Sequence, residues 1–217
     1  MKTFDQSKSV SFVSRTQADR SSSTRARIVA AAVAVLCDKG YSAATIKVIS
    51  DEAGVSVGAL QHHFSSKAKL MAAVAEALAA TRHAQYGSPL KPGFGAALYP
   101  MLIAEIWENV KRPEFLATME IALAQRSDDE LRQETEMHLT ALEAILEADT
   151  VSLLANYGRD LEYGKLARRM TAAFMSGLAL RNMAGLENEA EAMVVHWGKI
   201  LAALELKPEL ASMSPVT

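Results

Sequence analysis

Apolar residues recur every three or four positions through most of this chain, which is the spacing of one face of an α-helix. The first such stretch covers residues 24–39, and its apolar face consists of Ile28, Val29, Ala32, Val33 and Leu36. Thr24 is suited to cap the start of this helix, and Gly40 is suited to end it in the left-handed conformation.

Two short helical patterns follow, joined by only a few residues. Thr45 can cap the first and Ser56 the second, and Gly54 stands in the turn between them. A longer pattern with leucine and valine four residues apart comes next. This spacing predicts a helix-turn-helix over residues 45–64, followed by a longer helix.

A segment poor in helix formers, residues 86–95, contains three glycines and two prolines and predicts a domain boundary. Helical patterns then resume and fill the rest of the chain. They cover residues 96–110, 114–125, 128–156, 164–186 and 189–206. Strand alternation and glycine-rich nucleotide-binding loops are absent from the sequence, so the predicted fold class is all-α.

Composition is consistent with this prediction, because half of the 217 residues are hydrophobic while few are aromatic. Cys37 is the single cysteine, so an intrachain disulfide is excluded. No run approaches the roughly 18 apolar residues that a membrane helix needs. Residues 1–22 are polar and serine-rich, which predicts a flexible tail without a signal peptide. We therefore expect a cytoplasmic protein without a membrane partner.

Charge is unevenly distributed along the chain. Residues 1–85 contain 11 lysines and arginines against 6 acidic residues, a net charge of +5, whereas residues 86–217 contain 12 against 19, a net charge of −7. A basic N-terminal part on an acidic remainder favours a protein with one end that faces a polyanion.

The segment from Gly40 to Leu70 reads GYSAATIKVISDEAGVSVGALQHHFSSKAKL. In the order and spacing of its glycines, its Thr-Ile pair, its Ala-Gly-Val-Ser turn and its His-Phe pair, it resembles the DNA-binding signature of the TetR family. The resemblance covers residues 24–85. It implies an N-terminal three-helix helix-turn-helix domain (residues 23–85), followed by a helical ligand-binding and dimerisation domain (residues 96–207).

The resemblance also implies a double-stranded, pseudo-palindromic DNA operator as a partner. Helix N-termini carry free N–H groups and partial positive charge, so Thr45 and Ser56 are placed to meet phosphates. Gly58 lacks a side chain where its helix would crowd a neighbour or the DNA backbone. Further positive charge for the phosphates comes from Arg25, Lys47 and Lys67.

Base contacts would come from the third helix. The expected residues there are Val57, Ala59, Gln61, His62 and His63, and Gln61 is chemically suited to pair with adenine. Many members of the family have Lys in place of Val57 and Tyr in place of Gln61. We predict no metal site and no cofactor, since adjacent histidines on a helix point about 100° apart.

The second domain would dimerise and bind a small-molecule effector. Apolar faces on the last two helices predict a four-helix dimer interface. Its expected residues are Phe174, Gly177, Leu178, Trp197, Ile200, Leu201 and Leu204. Methionine, aromatic and isolated polar side chains mark a candidate effector pocket. These are Met101, Trp107, Phe115, Met119, His138, Phe174 and Arg181, each of which can equally be a core residue or, for Arg181, pair with an acidic residue.

These features together predict a homodimeric transcription regulator, with repression relieved by an effector as the usual outcome in the family. Two alternatives stay open. An enzyme lacks support, because no nucleophile–base pair, paired carboxylates or metal-ligand spacing stands out. A protein-interaction module that no longer binds DNA gains some support from Val57, where a lysine would contact phosphate.

Overall fold

A computed structural model describes the backbone of residues 17–86, 97–186 and 188–205, and side chains from residue 21, with residues 83–86 also left out. Within these ranges the chain forms α-helices and contains no β-strand, which confirms the predicted all-α class. None of the described helices is long and apolar enough to cross a membrane.

Nine helices follow one another along the described residues. Four lie in the N-terminal part: α1 (Gln17–Ala43), α2 (Ile46–Glu52), α3 (Val57–His63) and α4 (Lys67–Tyr86). Five lie in the remainder: α5 (Leu98–Val110), α6 (Pro113–Ala124), α7 (Asp129–Asn156), α8 (Leu161–Met183) and α9 (Ala190–Glu205).

Helix α1 begins earlier than the sequence pattern predicts. Residues 17–22 form its first turns, so the expected flexible tail over residues 1–22 is wrong for this part, and residues 1–16 lie outside the described residues. At its other end the helix is broken at Gly40, whose φ of +77° is accessible to glycine at little cost. The chain therefore turns sharply at the position that the sequence marks.

Side-chain caps begin the short helices where the sequence predicts them. The hydroxyl of Thr45 accepts a hydrogen bond from the backbone N–H of Val48 (3.3 Å), and that of Ser56 accepts one from Ala59 (3.1 Å). Each bond satisfies one donor that a helix start leaves without an intrahelical partner. Between the two helices, Gly54 adopts a φ of +62° and forms the turn.

The first hydrophobic core joins the two predicted domains. It is built mainly from α1 to α4, with Ile28, Leu60 and Leu70 completely buried, and it also contains Ile121 of α6 and Leu131 of α7. Helix α1 packs on α6, and α4 packs along α7. The predicted boundary segment, residues 86–95, lies almost wholly outside the described residues. Residues from before and after this segment nevertheless belong to the same core.

The second core lies between α5, α8 and α9. Its side chains include Ile103, Trp107, Met175 and Leu201, all buried. Helices α5 and α9 approach each other closely, because a Cβ added at Gly198 would lie 2.8 Å from the Cα of Pro100. At the end of α9, the partly buried carboxylate of Glu205 accepts hydrogen bonds from Arg159 and from the hydroxyl of Tyr99.

Candidate nucleic-acid interface and internal cavity

Helix α3 packs against α2 and presents a short exposed face. Gln61, His62 and Gly58 are exposed, whereas Leu60 is buried in the first core and anchors the helix. Of the other expected base contacts, Val57, Ala59 and His63 are partly exposed. The predicted base-reading residues therefore share one short helix that is fixed on its inner side and open on its outer side.

Gly58 faces open space within the part of the protein that the structure describes. A Cβ added there would meet no atom within 4 Å. The expectation that a side chain at this position would crowd a neighbouring helix is therefore wrong. Close approach of the DNA backbone is the reason that stays a prediction.

The two histidines at the end of α3 contact each other through their ring edges. Their ring centroids are 5.6 Å apart and the ring planes are inclined by 72°. Within the described part of the chain, no group of three or more histidine, cysteine or carboxylate side chains is placed to hold a metal ion.

The basic side chains expected to contact phosphate differ in their exposure and in their partners within the protein. Arg25 is exposed and its guanidinium lies 5.0 Å from the centre of the Phe64 ring. Lys47 is 70% exposed and forms an ion pair with Asp51, with 2.6 Å between Nζ and Oδ2. Exposed pairs of this kind contribute little free energy, so a phosphate can compete for the lysine.

Lys67 is engaged inside the protein. Its Nζ donates a hydrogen bond to the carbonyl oxygen of Tyr41 (2.8 Å) and lies 3.8 Å from the centre of the Tyr41 ring. Burial lowers the pKa of Lys67, and Asp128 acts against this shift. The lysine therefore links the start of α4 to the end of α1, and a contact with phosphate would require it to leave these partners.

Tyr41 also connects this region to α6. Its backbone N–H donates a short hydrogen bond to the carboxylate of Glu120, which lies against Gly40 as well. Burial, followed by the charge of Asp128 and a hydrogen bond to it, raises the pKa of the Tyr41 hydroxyl. We call Tyr41, Lys67, Glu120 and Asp128 the junction. The sequence alone does not indicate the junction, because Glu120 occupies an ordinary polar position in a helix.

A cavity of about 560 Å³ lies between α4, α5, α6, α7 and α8. Such a volume suits a small organic ligand. Its wall is largely apolar, with Ile103, Leu142 and Met175 among the lining side chains. Helices α6 and α7, which form part of this wall, also supply Glu120 and Asp128 to the junction.

Only part of the expected effector pocket lines this cavity. Phe115 and Met119 do, whereas the others do not: Met101, Trp107, His138, Phe174 and Arg181. The indole of Trp107 donates to Glu191 (2.8 Å), and the guanidinium of exposed Arg181 donates to the carbonyl of Leu186 (3.2 Å). These residues have partners within the protein, which the sequence could not identify.

Charged residues in the cavity wall were missed by the sequence analysis. They are Arg82, Glu105, Glu143, Asp149 and Arg168. In the sequence they occupy polar positions of amphipathic helices, where a solvated surface charge is the ordinary expectation. Only the packing of several helices around a common space brings them into one wall.

Residues 28–74 match the family model described as bacterial regulatory proteins, tetR family. This segment holds the helix-turn-helix, both caps and the exposed face of α3. We call residues 28–74 the TetR-family segment, after the family model that they match. The HTH-type transcriptional regulator CymR of Pseudomonas putida is 45% identical over 62 residues, which are 29% of this chain and 30% of CymR. The match thus spans less than a third of that relative's length.

Solved structures extend the similarity of fold beyond the TetR-family segment. A transcriptional regulator from Rhodococcus sp. Rha1 superposes with a TM-score of 0.66 at 20% identity, covering 85% of this chain and 96% of that one. The regulator FadR from Bacillus subtilis, in complex with stearoyl-CoA, gives 0.59 at 19% identity and covers 82% and 97%. The arrangement of the helices over most of the chain is therefore similar to that of these proteins.

The residues expected at the dimer interface separate into three groups by their burial within the single chain: buried, partly buried and exposed. Leu178 and Leu201 are buried in the second core of the single chain, so their apolar character is explained without a partner subunit. Phe174 stacks on Trp197 within the chain, with 5.2 Å between ring centroids, and Leu204 is partly buried. Gly177 and Ile200 are exposed.

Proposed function

We propose that this protein is a sequence-specific, double-stranded-DNA-binding transcription regulator that acts as a homodimer and responds to a small-molecule effector. The observation that carries the proposal is the TetR-family segment, with α3 anchored through Leu60 and exposed at Gln61. The basic N-terminal part, with a net charge of +5 over residues 1–85, supports contact with a polyanion.

Selection of random duplex DNA on the purified full chain tests the DNA-binding part. We expect a pseudo-palindromic motif whose affinity falls as salt rises, because contacts between basic side chains and phosphates release counterions. Gln61→Ala should change the base preference within each half-site. The matched control is Gln133→Ala, an exposed glutamine on α7. Recovery of no motif would instead favour an interaction module that lacks DNA binding.

Dimerisation is supported by an apolar stripe on α8. Leu166, Met170 and Leu180 are 41–51% exposed and recur at helical spacing. Exposed Ala173 and Gly177 lie between them and permit close approach of another helix. Ile200 of α9, 47% exposed, adds to the apolar surface available to a second copy. Two such faces would form an interface related by a two-fold axis.

Substitution of Gly177 tests the dimer interface without disturbing the single chain, because a Cβ added there meets no atom of the described residues within 4 Å. Gly177→Arg should weaken self-association, measured by analytical ultracentrifugation, by at least about tenfold, since it places a charge in an apolar contact. Thr140→Arg, at an exposed position of α7, is the matched control. Unchanged association of the Gly177 variant would contradict the α8 interface.

Effector control is supported by the arrangement of the cavity and the junction. Phe115 and Met119 line the cavity on α6, and Glu120 on the same helix holds Tyr41 beside the DNA-binding helices. A ligand shifts DNA binding only as far as its affinity differs between the two states of the protein. The FadR structure with stearoyl-CoA shows that a regulator of this fold holds a ligand. Relief of operator binding by a cavity ligand would test this part.

A further inference from the structure

The charges in the cavity wall are unbalanced. Three carboxylates line the cavity, those of Glu105, Glu143 and Asp149, against the two guanidinium groups of Arg82 and Arg168. The surrounding wall is largely apolar, so these charges act on a ligand through a medium of lower dielectric than water. The side chains therefore leave one negative charge in excess.

Arg168 already forms ion pairs with two carboxylates of the protein. Its Nη2 lies 2.9 Å from Glu143 and 3.7 Å from Glu147, and its side chain is 14% exposed. Arg82 places its guanidinium 5.1 Å from the centre of the Phe115 ring. An anionic ligand would have to compete with Glu143 for Arg168 while it met the repulsion of the remaining acids.

Glu105 differs from the other acids of the wall. Among the described residues its carboxylate forms no ion pair and no hydrogen bond, and the side chain is only partly exposed on α5. Apolar side chains such as Ile103 and Met175 make up most of the same wall. A carboxylate without a protein partner in a largely apolar cavity wall is a site for a positively charged group.

We propose that the cavity binds a lipophilic organic cation, with its apolar body among the leucine, isoleucine and methionine side chains and its charged nitrogen at Glu105. This inference names the chemical class of the effector and so rests on the proposed function for its biological role. The binding itself requires no DNA.

Three ligands with the same ten-carbon chain test the proposal: decylammonium, decanol and decanoate, each titrated calorimetrically into the full chain below its micellar concentration. We expect decylammonium to bind about tenfold more tightly than decanol, the ratio that corresponds to 1.4 kcal/mol, and decanoate to bind most weakly. Tighter binding of decanoate than of decylammonium, equal binding of all three, or binding of none would overturn the proposal.

Two variants test whether Glu105 supplies the negative charge that binds the ligand cation. Glu105→Gln should remove the advantage of decylammonium over decanol while decanol still binds. Glu108→Gln is the matched control, because Glu108 lies on the same helix but is 67% exposed, pairs with Lys111 and does not line the cavity. Loss of the preference in both variants, or in neither, would contradict the assignment to Glu105.

The ligand titrations and the DNA selection distinguish failure of the cation site from failure of the proposed regulatory function. Selective binding of decylammonium by a protein that selects no DNA motif would retain the cation site and remove the regulator. A recovered motif together with a preference for decanoate would retain the regulator and remove the cation site.

Discussion

Single glycines show how closely each part of the molecule is packed. Gly58 and Gly198 both lie inside helices, but a Cβ at Gly58 would meet open space, whereas one at Gly198 would meet the backbone of Pro100. The same substitution should therefore have opposite consequences at the two positions, and each serves as the control for the other.

Gly58→Ala should leave the fold intact and weaken binding to the selected operator. Alanine favours a helix interior by about 1 kcal/mol over glycine, so thermal stability should be equal or higher. If the DNA backbone approaches α3 here, the added methyl group should reduce operator affinity by about tenfold. Thermal unfolding and operator titration measure the two effects, and unchanged affinity would show that the glycine is not needed for DNA.

Gly198→Ala should destabilise the protein by about 1–3 kcal/mol, the usual cost of forcing an extra carbon into a packed core. The contact is 2.8 Å from the Cα of Pro100, and a proline backbone inside α5 cannot move without shifting the helix. Urea unfolding of this variant beside Gly58→Ala measures the difference. Similar stability of the two variants would show that α5 and α9 separate easily.

At the level of elements, two tyrosine hydroxyls tie α5 and α8 to α9. Tyr99 donates to Glu205 (3.2 Å), and Tyr163 donates to the carbonyl of Leu201 (2.7 Å). Burial, followed by the charge of Glu205, raises the pKa of Tyr163 to about 12 and raises the pKa of Tyr99 strongly. Both hydroxyls therefore keep their protons in the folded state well above the pH at which free tyrosine ionises.

This shift predicts a loss of stability in alkali. In the unfolded chain the tyrosines ionise near pH 10.0, while in the folded chain they stay protonated. Their stabilisation is complete below pH 10 and is lost as the pH rises from 10 towards 12. The double variant Tyr99→Phe, Tyr163→Phe should lose about 1 kcal/mol per hydrogen bond at pH 8 and show a shallower alkaline decline. Urea midpoints at pH 8–11.5 measure both, and an equal decline would disprove the assignment.

At the scale of the whole molecule, the junction is the polar connection between the cavity-bearing helices and the DNA-binding helices. Glu120 holds the backbone N–H of Tyr41, and Lys67 holds the carbonyl of the same residue. The backbone of Tyr41, next to the break of α1, is thus hydrogen-bonded to side chains of both α6 and α4.

Glu120→Ala should cost about 1–3 kcal/mol, because it leaves the partly buried N–H of Tyr41 without its acceptor. Glu120→Gln keeps an acceptor oxygen and should restore most of this loss, and Glu136→Ala, exposed on α7, is the control. Hydrogen exchange should quicken in α2 and α3 more than in α8 and α9. Uniform quickening along the chain would show that the junction supports overall stability alone.

Much of the DNA-binding region follows from local sequence. Thr45 and Ser56 cap short helices, Gly54 turns the chain between them, and Leu60 faces inward while Gln61 faces outward, because each property depends on residues within one or two turns. The cavity was much harder to predict. Phe115 and Met119 line it, but Met101 and Phe174 have the same apolar character and do not.

The sequence by itself determined most of the helices, their caps and breaks, and the exposed face of α3, because hydrogen bonds between near neighbours and helical periodicity are local properties. Tertiary structure alone decided which faces meet. An apolar stripe specifies that a helix buries one side but not against what, so Leu178 and Leu201 proved to be core residues while Gly177 stayed exposed. It also placed Lys67 on Tyr41 and turned Glu105 towards the cavity, since both depend on helices far apart in the chain.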